Sequence, residues 1–240
     1  MVKKNLIFGV IFVLVIAGLV FVFAALGAPT DLIFEQNTTV NYDKEGNFTI
    51  NWTAPVGVIE NYSIYIYSDG VLYNKTMNTS TTSYIFSNST EANYTFHVAA
   101  VNDTGEGDNS TNISIVVDTT APAIEYALNM EANNANKSQT WIFVNVTASD
   151  TYNDTLSFTL YNTTGIVNQT NHTDNYTTTT INWTSLSEET YYYNVTANDS
   201  ATNSNTTSTY TFVVDTTAPV ATLSCSPSKC YNREHSYLYM

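Results

Sequence analysis

Asn47-Phe48-Thr49-Ile50-Asn51-Trp52-Thr53 is the stretch that decides the fold. Successive side chains of an extended chain point to opposite faces, so Phe48, Ile50 and Trp52 share one side and Asn47, Thr49, Asn51 and Thr53 the other. The stretch reads as a half-buried strand with a wet outer face. Tyr62, Ile64 and Ile66 repeat the pattern, as do Tyr94, Phe96, Val98 and Ala100. Turn formers at Ser68-Asp69-Gly70 and at Asp103-Thr104-Gly105-Glu106-Gly107 separate these runs. Further along, Ile142, Val144, Val146 and Ala148 form another apolar row, followed by Leu156, Phe158 and Leu160, and by Tyr191, Tyr193, Val195 and Ala197. Short strands at this spacing, without a helical stretch among them, predict an all-β chain of antiparallel two-sheet sandwiches. Trp52, Tyr62, Tyr94, Val98, Tyr191 and Val195 are the candidate core.

Composition points the same way. Only 12% of the 240 residues are charged, about half the share of roughly 25% in ordinary soluble proteins. Asn, Thr and Ser supply the missing polarity, and they favour strands and turns over helices. Seven Lys and Arg against 21 Asp and Glu give a net charge of -14, a field that repels phosphate backbones and excludes nucleic acid as a partner. Two cysteines exclude a disulfide-dense scaffold and a four-ligand zinc site.

Lys3 and Lys4 precede an uncharged apolar run from Leu6 to Ala28. As a helix rising about 1.5 Å per residue, residues 5–27 would cross the roughly 30 Å hydrocarbon layer of a membrane. The two lysines would stay inside and all that follows would lie outside. Ala25-Leu26-Gly27 has the small-x-small form of a signal peptidase site, so residues 1–27 are either a transmembrane signal anchor or a cleavable signal peptide. Retention is the favoured reading, because the run is longer than the 7 to 15 apolar residues of a signal core.

The chain carries 22 Asn-x-Ser/Thr triplets among 29 asparagines, where composition alone would give about seven. Part of the excess follows from strands whose outer faces are built of Asn and Thr, since i and i+2 share a face. An exported chain would meet the glycosylation machinery, and glycans would solvate a surface poor in charge. Asn47, Asn51, Asn61, Asn93, Asn145, Asn182 and Asn194 are the candidate acceptors.

Val116-Val117-Asp118-Thr119-Thr120-Ala121-Pro122 returns as Val213-Val214-Asp215-Thr216-Thr217-Ala218-Pro219, a spacing of 97 residues. That period matches one sandwich and sets the units at 28–117 and 118–219. Pro122 and Pro219 fix their own φ and hold the preceding alanine extended, which makes each link short and stiff.

Four groups of residues together resemble a fibronectin type III domain over 28–117. They are Ala28-Pro29, the Trp52-Thr53-Ala54-Pro55 strand end, the Tyr62-Ser63-Ile64-Tyr65-Ile66 strand, and Tyr94 to Asn102 followed by Gly105-Glu106-Gly107. The resemblance implies that Trp52 plugs the space between the sheets and that Tyr94 anchors the corner before its strand. The family's Leu-x-Pro-Gly element is replaced by Asn88-Ser89-Thr90-Glu91-Ala92, which predicts a looser corner. No Arg-Gly-Asp occurs, and Gly105-Glu106-Gly107-Asp108 reads as an ordinary turn. Residues 118–219 resemble the Ig-like repeats of bacterial and archaeal surface proteins through the run Tyr191 to Asn203 and the closing Asp-Thr-Thr-Ala-Pro. Thr202 stands where those repeats have glycine.

Residues 220–240 read as the truncated start of a third domain or a disordered tail. Cys225 and Cys230 could close a disulfide there in an oxidising exterior.

No catalytic constellation is present in the sequence. His97, His172 and His235 are scattered, and no nucleophile elbow, phosphate loop or His-x-x-x-His pair occurs. The chain therefore reads as a non-enzyme without a cofactor. The one alternative is calcium, for which Asp103, Glu106, Asp118, Asp199 and Asp215 are candidates, with Asp108, Asp150 and Asp154 nearby; Asp is equally a common turn residue. The expected function is an exported, membrane-anchored, N-glycosylated stalk at the cell membrane, facing outward or secreted if the leader is cleaved. Its role would be structural or adhesive, with surface proteins or glycans as partners. The alternative is an accessory or carbohydrate-binding module of a larger extracellular enzyme.

Overall fold

The computed structural model of the chain describes residues 11–16, 19–24, 26–35, 41–78 and 81–221. Lys3, Lys4, Cys225, Cys230 and His235 lie outside these residues, as does the expected third unit apart from residues 220 and 221.

The apolar leader differs from expectation in its described part. β1 (Ile11–Ile16) and β2 (Leu19–Ala24) pair as antiparallel strands, with Ile11 opposite Ala24 and Ile16 opposite Leu19. No helix among the described residues is long and apolar enough to cross a membrane. The physical reason lies in the residue types: Ile-Phe-Val-Leu-Val-Ile and Leu-Val-Phe-Val-Phe-Ala are rich in β-branched and aromatic side chains, which suit a pleated strand.

The first sandwich follows. Its strands in chain order are β3 (Thr30–Phe34), β4 (Tyr42–Asp43), β5 (Asn47–Thr53), β6 (Asn61–Ser68), β7 (Val71–Asn78), β8 (Ser83–Ser87), β9 (Ala92–Asn102), β10 (Gly105–Asn109) and β11 (Ile113–Val117). One sheet has the order β3-β5-β8 and the other β4-β11-β9-β6-β7, with β10 also on β9. The second sandwich contains β12 (Ala123–Tyr126), β13 (Ala135–Lys137), β14 (Ile142–Ser149), β15 (Asn153–Asn162), β16 (Gly165–His172), β17 (Thr180–Trp183), β18 (Glu189–Asp199), β19 (Ser204–Thr206) and β20 (Tyr210–Val214). Its sheets, β12-β14-β17 and β13-β20-β18-β15-β16 with β19 on β18, repeat the first layout strand for strand. Even the single parallel pairing recurs, β4 on β11 and β13 on β20.

Alternation along the strands builds each core. In β5 the side chains of Phe48, Ile50 and Trp52 are buried and the ends of the strand are exposed. Phe48 meets Phe96 of the facing sheet edge-on at 5.7 Å, and Trp52 meets Tyr62 edge-on at 5.1 Å. Such pairs add roughly 0.5–1.5 kcal/mol each beyond the area they bury. The second core gathers Ile142, Val144 and Val146 of β14 against Phe158, Tyr193 and Val195 of the other sheet. Its tryptophan sits elsewhere: Trp183 comes from β17 and donates Nε1–H to Asn168 Oδ1 at 3.1 Å. Tyr126 spans the sheets as well, its hydroxyl reaching the carbonyls of Tyr193 and Ser208 at 3.2 and 3.0 Å. Burial pushes that phenol up to about 12.

Two local expectations change. The turn after β9 is confined to Asp103-Thr104, and Gly105–Asn109 is a strand that returns along β9, with Gly105 opposite Asn102. The corner before β9 closes without the Leu-x-Pro-Gly element. Tyr94 donates its hydroxyl to the Thr90 carbonyl at 3.1 Å and accepts from Asn88 Nδ2 at 2.9 Å, while Asn88 Oδ1 takes the Thr90 amide at 3.0 Å. Asn88 thus does with its side chain what a tight turn would do with backbone.

Candidate metal centre at the domain junction

The segment leaving the first sandwich is held from both sides. Asp118, directly after β11, donates its amide to the Asp43 carbonyl at 2.9 Å and accepts the Thr120 amide on Oδ1 at 3.2 Å. The two threonines fold back onto Glu91, which precedes β9. Its Oε1 accepts the amide and hydroxyl of Thr119 at 3.2 and 3.1 Å and a short bond from the Thr120 hydroxyl. These hydroxyl bonds, that of Thr120 first, hold the Glu91 carboxyl below the usual range.

The same clamp recurs 97 residues on. Glu188 accepts the Thr216 hydroxyl at 2.8 Å and the Thr217 hydroxyl at 2.8 and 2.9 Å, and Asp215 Oδ1 accepts the Thr217 amide at 3.2 Å. The repeated Asp-Thr-Thr motif is thereby explained as half of a hydrogen-bonded clamp whose other half is a glutamate about 28 residues upstream.

At the first junction the second sandwich completes the arrangement. Asp150 follows β14 and Asp199 ends β18, two loops at the same end of that sandwich. One carboxylate oxygen from each of Asp118, Asp150 and Asp199 lies within 4.8 Å of the others. Asp118 is 3% exposed and Asp199 2%. Asn203 donates its amide and Nδ2–H to the two oxygens of Asp199 at 2.8 and 2.9 Å, and Tyr152 donates its amide to Asp150 Oδ1 at 2.6 Å. Asp118 Oδ2, by contrast, is buried with no hydrogen-bond partner. Desolvation raises the Asp118 carboxyl above its ordinary value, and the charges of Asp199, Asp150 and Glu91 add to the rise. Asn203 Nδ2 also reaches the Asp118 carbonyl and Asn205 Nδ2 the Pro122 carbonyl, at 2.8 and 3.0 Å, and Tyr42 of β4 meets Tyr152 edge-on at 5.4 Å.

The other calcium candidates stand apart. Asp103 is exposed in its turn. Glu106 accepts from Lys75 at 2.8 Å, from Ser63 at 3.2 Å and from the Tyr65 hydroxyl, a cation and two hydroxyls that already satisfy it. Asp108 and Asp215 are exposed, and Asp154 takes the Thr155 hydroxyl at 2.9 Å. Of the candidate glycan acceptors, Asn47, Asn93 and Asn182 are exposed, while Asn51, Asn61, Asn145 and Asn194 are half-buried. His97 packs edge-on to Tyr67 and His172 to Phe158, each as a ring in a sandwich.

The model of one family, the fibronectin type III domain, matches residues 27–116. The first sandwich is a fibronectin type III domain. Trp52 and Tyr94, for which the resemblance implied the plug and corner roles, are both buried within it. Among solved structures, the chain is similar to the fibronectin(III)-like modules of Clostridium thermocellum CbhA at 14% identity. That match covers 77% of this chain and 94% of that one, with a TM-score of 0.42. The chicken CNTN1 FN1–FN3 domains match at 14% identity over 85% of this chain and 76% of that one, with a TM-score of 0.41. A two-domain fibronectin type III segment of chicken tenascin matches at 16% over 76% and 96%, with a TM-score of 0.37. A comparison with curated proteins finds no match. Fibronectin type III domains are commonly extracellular and serve as structural, adhesive or accessory modules.

Proposed function

We propose that the chain is an exported, membrane-anchored and N-glycosylated spacer, in which stiffly joined sandwiches hold a recognition surface away from the membrane in a structural or adhesive role. The observation that carries this reading is the repeated junction: the same Glu-Thr-Thr clamp closes both sandwiches 97 residues apart, as suits a chain built to extend unit by unit.

Anchoring rests on the leader. Its uncharged run is long enough to span a bilayer, and a two-stranded ribbon would leave backbone groups unpaired in hydrocarbon, so the segment would turn helical there. Retention is supported by Leu26, which is 8% exposed and belongs to the core of the fibronectin type III domain. Cleavage after Gly27 would strip that side chain from the core. Glycosylation is supported by the exposed acceptors Asn47, Asn93 and Asn182 on outward strand faces.

Fractionation of producing cells tests the proposal. Carbonate-resistant membrane association, an intact amino terminus by mass spectrometry and a mass loss on deglycosylation support it. A soluble cytosolic chain without glycans contradicts it. A glycan array with the same protein probes the role: specific sugar binding would assign it to the accessory modules of extracellular enzymes instead.

A further inference from the structure

We propose that Asp118, Asp150 and Asp199 form a calcium site that locks the fibronectin type III domain to the sandwich that follows it. The inference goes beyond the spacer reading and does not depend on export.

Three observations carry it. First, the three carboxylates come from the exit segment of one sandwich and two loops of the next, and they converge to within 4.8 Å. Oxygens bound to one calcium ion at about 2.4 Å lie up to about 4.8 Å apart, so the three carboxylates fall within the span that ligands of a single ion occupy. Second, Asp118 Oδ2 is buried at the junction and accepts no hydrogen bond, although its residue is 97% removed from solvent at 3% exposure. A buried carboxylate oxygen left unpaired is costly, and a cation is the partner that a converging set of carboxylates selects. Third, no cationic side chain serves that purpose among the described residues: the ion pairs there are Lys75 with Glu106 and Lys137 with Glu131.

The neighbouring bonds orient the set. Asn203 fixes both oxygens of Asp199, the Tyr152 amide fixes Asp150 and the Thr120 amide fixes Asp118, each on oxygens that keep lone pairs free. Three carboxylates drawn from separate segments suit the adaptable shell of calcium better than the strict octahedron of magnesium. Backbone carbonyls and water would complete the shell. Asp215 holds the matching position 97 residues on, yet it is exposed and has no such neighbours in the described residues.

The test is scanning calorimetry of the full chain in EDTA and in about 2 mM CaCl2, above the roughly 10⁻⁴–10⁻³ M range of extracellular calcium modules. Tyrosine-sensitised terbium luminescence is the second readout, since the Tyr152 amide binds Asp150 at 2.6 Å and the Tyr176 hydroxyl donates to the carbonyl of Asn198, next to Asp199, at 2.8 Å. The wild type should melt several degrees higher with calcium, less so with magnesium, and should light terbium. Asp118→Asn and Asp150→Asn should lose both responses while melting in EDTA at or above the wild type, because they remove repulsion. Asp215→Asn should keep both responses. Should Asp118→Asn fail to fold, half-buried Asp150→Asn carries the test. Absence of both responses in the wild type overturns the proposal, and so does their survival in Asp150→Asn.

Discussion

Asn203 donates its side-chain amide to the main-chain carbonyl of Asp118 at 2.8 Å and binds both carboxylate oxygens of Asp199, so one residue ties the second sandwich to the exit of the first. Hydrogen bonds to a buried charge are worth about 1.5–3 kcal/mol each. Asn203→Ala keeps the backbone amide bond and loses the two side-chain bonds. Urea unfolding should show the second sandwich weakened by about 2 kcal/mol. A loss too small to resolve would mean that the junction is not held by this residue.

Thr202 occupies a left-handed conformation with φ at 70° in the turn after β18, at the position where the resembling repeats have glycine. A β-branched residue there costs roughly 1–2 kcal/mol, part of which glycine gives back in backbone entropy. Thr202→Gly should therefore raise stability by about 0.5–1 kcal/mol in the same unfolding assay. A decrease would show that the Thr202 side chain contributes more than its backbone costs.

Gly46 has φ at 66°, and a Cβ there would lie 2.1 Å from the Asn88 carbonyl oxygen. Asn88 also supports Tyr94, so the clash would reach the corner of the fibronectin type III domain. Gly46→Ala should cost about 2–4 kcal/mol, read by Trp52 fluorescence on unfolding. A neutral effect would contradict the close approach of Gly46 to the Asn88 backbone.

Glu188 is held below its ordinary value of 4.5 by the hydroxyls of Thr216 and then Thr217. A carboxyl whose folded value is depressed stabilises the folded form fully above 4.5, and that contribution is lost as pH falls through the folded value. The Glu188 carboxyl should titrate below 4.5 by NMR, and the Thr216 amide, which donates to Glu188 Oε2 at 3.3 Å, should lose its exchange protection over the same range. Titration at or above 4.5 would mean that the clamp is open in solution.

Much of this structure was legible in the chain itself. The buried rows at Phe48, Ile50 and Trp52, at Tyr94, Phe96 and Val98, and at Tyr191, Tyr193 and Val195 follow directly from period-two alternation over strands covered on one face. The strands Val71–Asn78 and Gly165–His172 escaped that test, because they lie at sheet edges and expose residues such as Val71, Leu72 and Ile166 on both sides of the pattern. The leader escaped it for another reason: a continuous apolar run fits a helix and a buried strand equally well. The junction was half legible. Asp118, Asp150 and Asp199 each mark a turn or link in the sequence, but only the topology that places the ends of β14 and β18 beside the exit of β11 brings them together. Asn203 closes the run Tyr191 to Asn203 that carries the resemblance, but its bridging role gave no signal, since a bridging amide has no period and no spacing rule.

Residual dipolar couplings of the backbone amides in calcium-containing buffer read how stiffly the two sandwiches are joined. Couplings from residues of both sandwiches should fit one common alignment tensor. Two tensors of different magnitude, one for each sandwich, would show that they tumble as separate bodies and would contradict it.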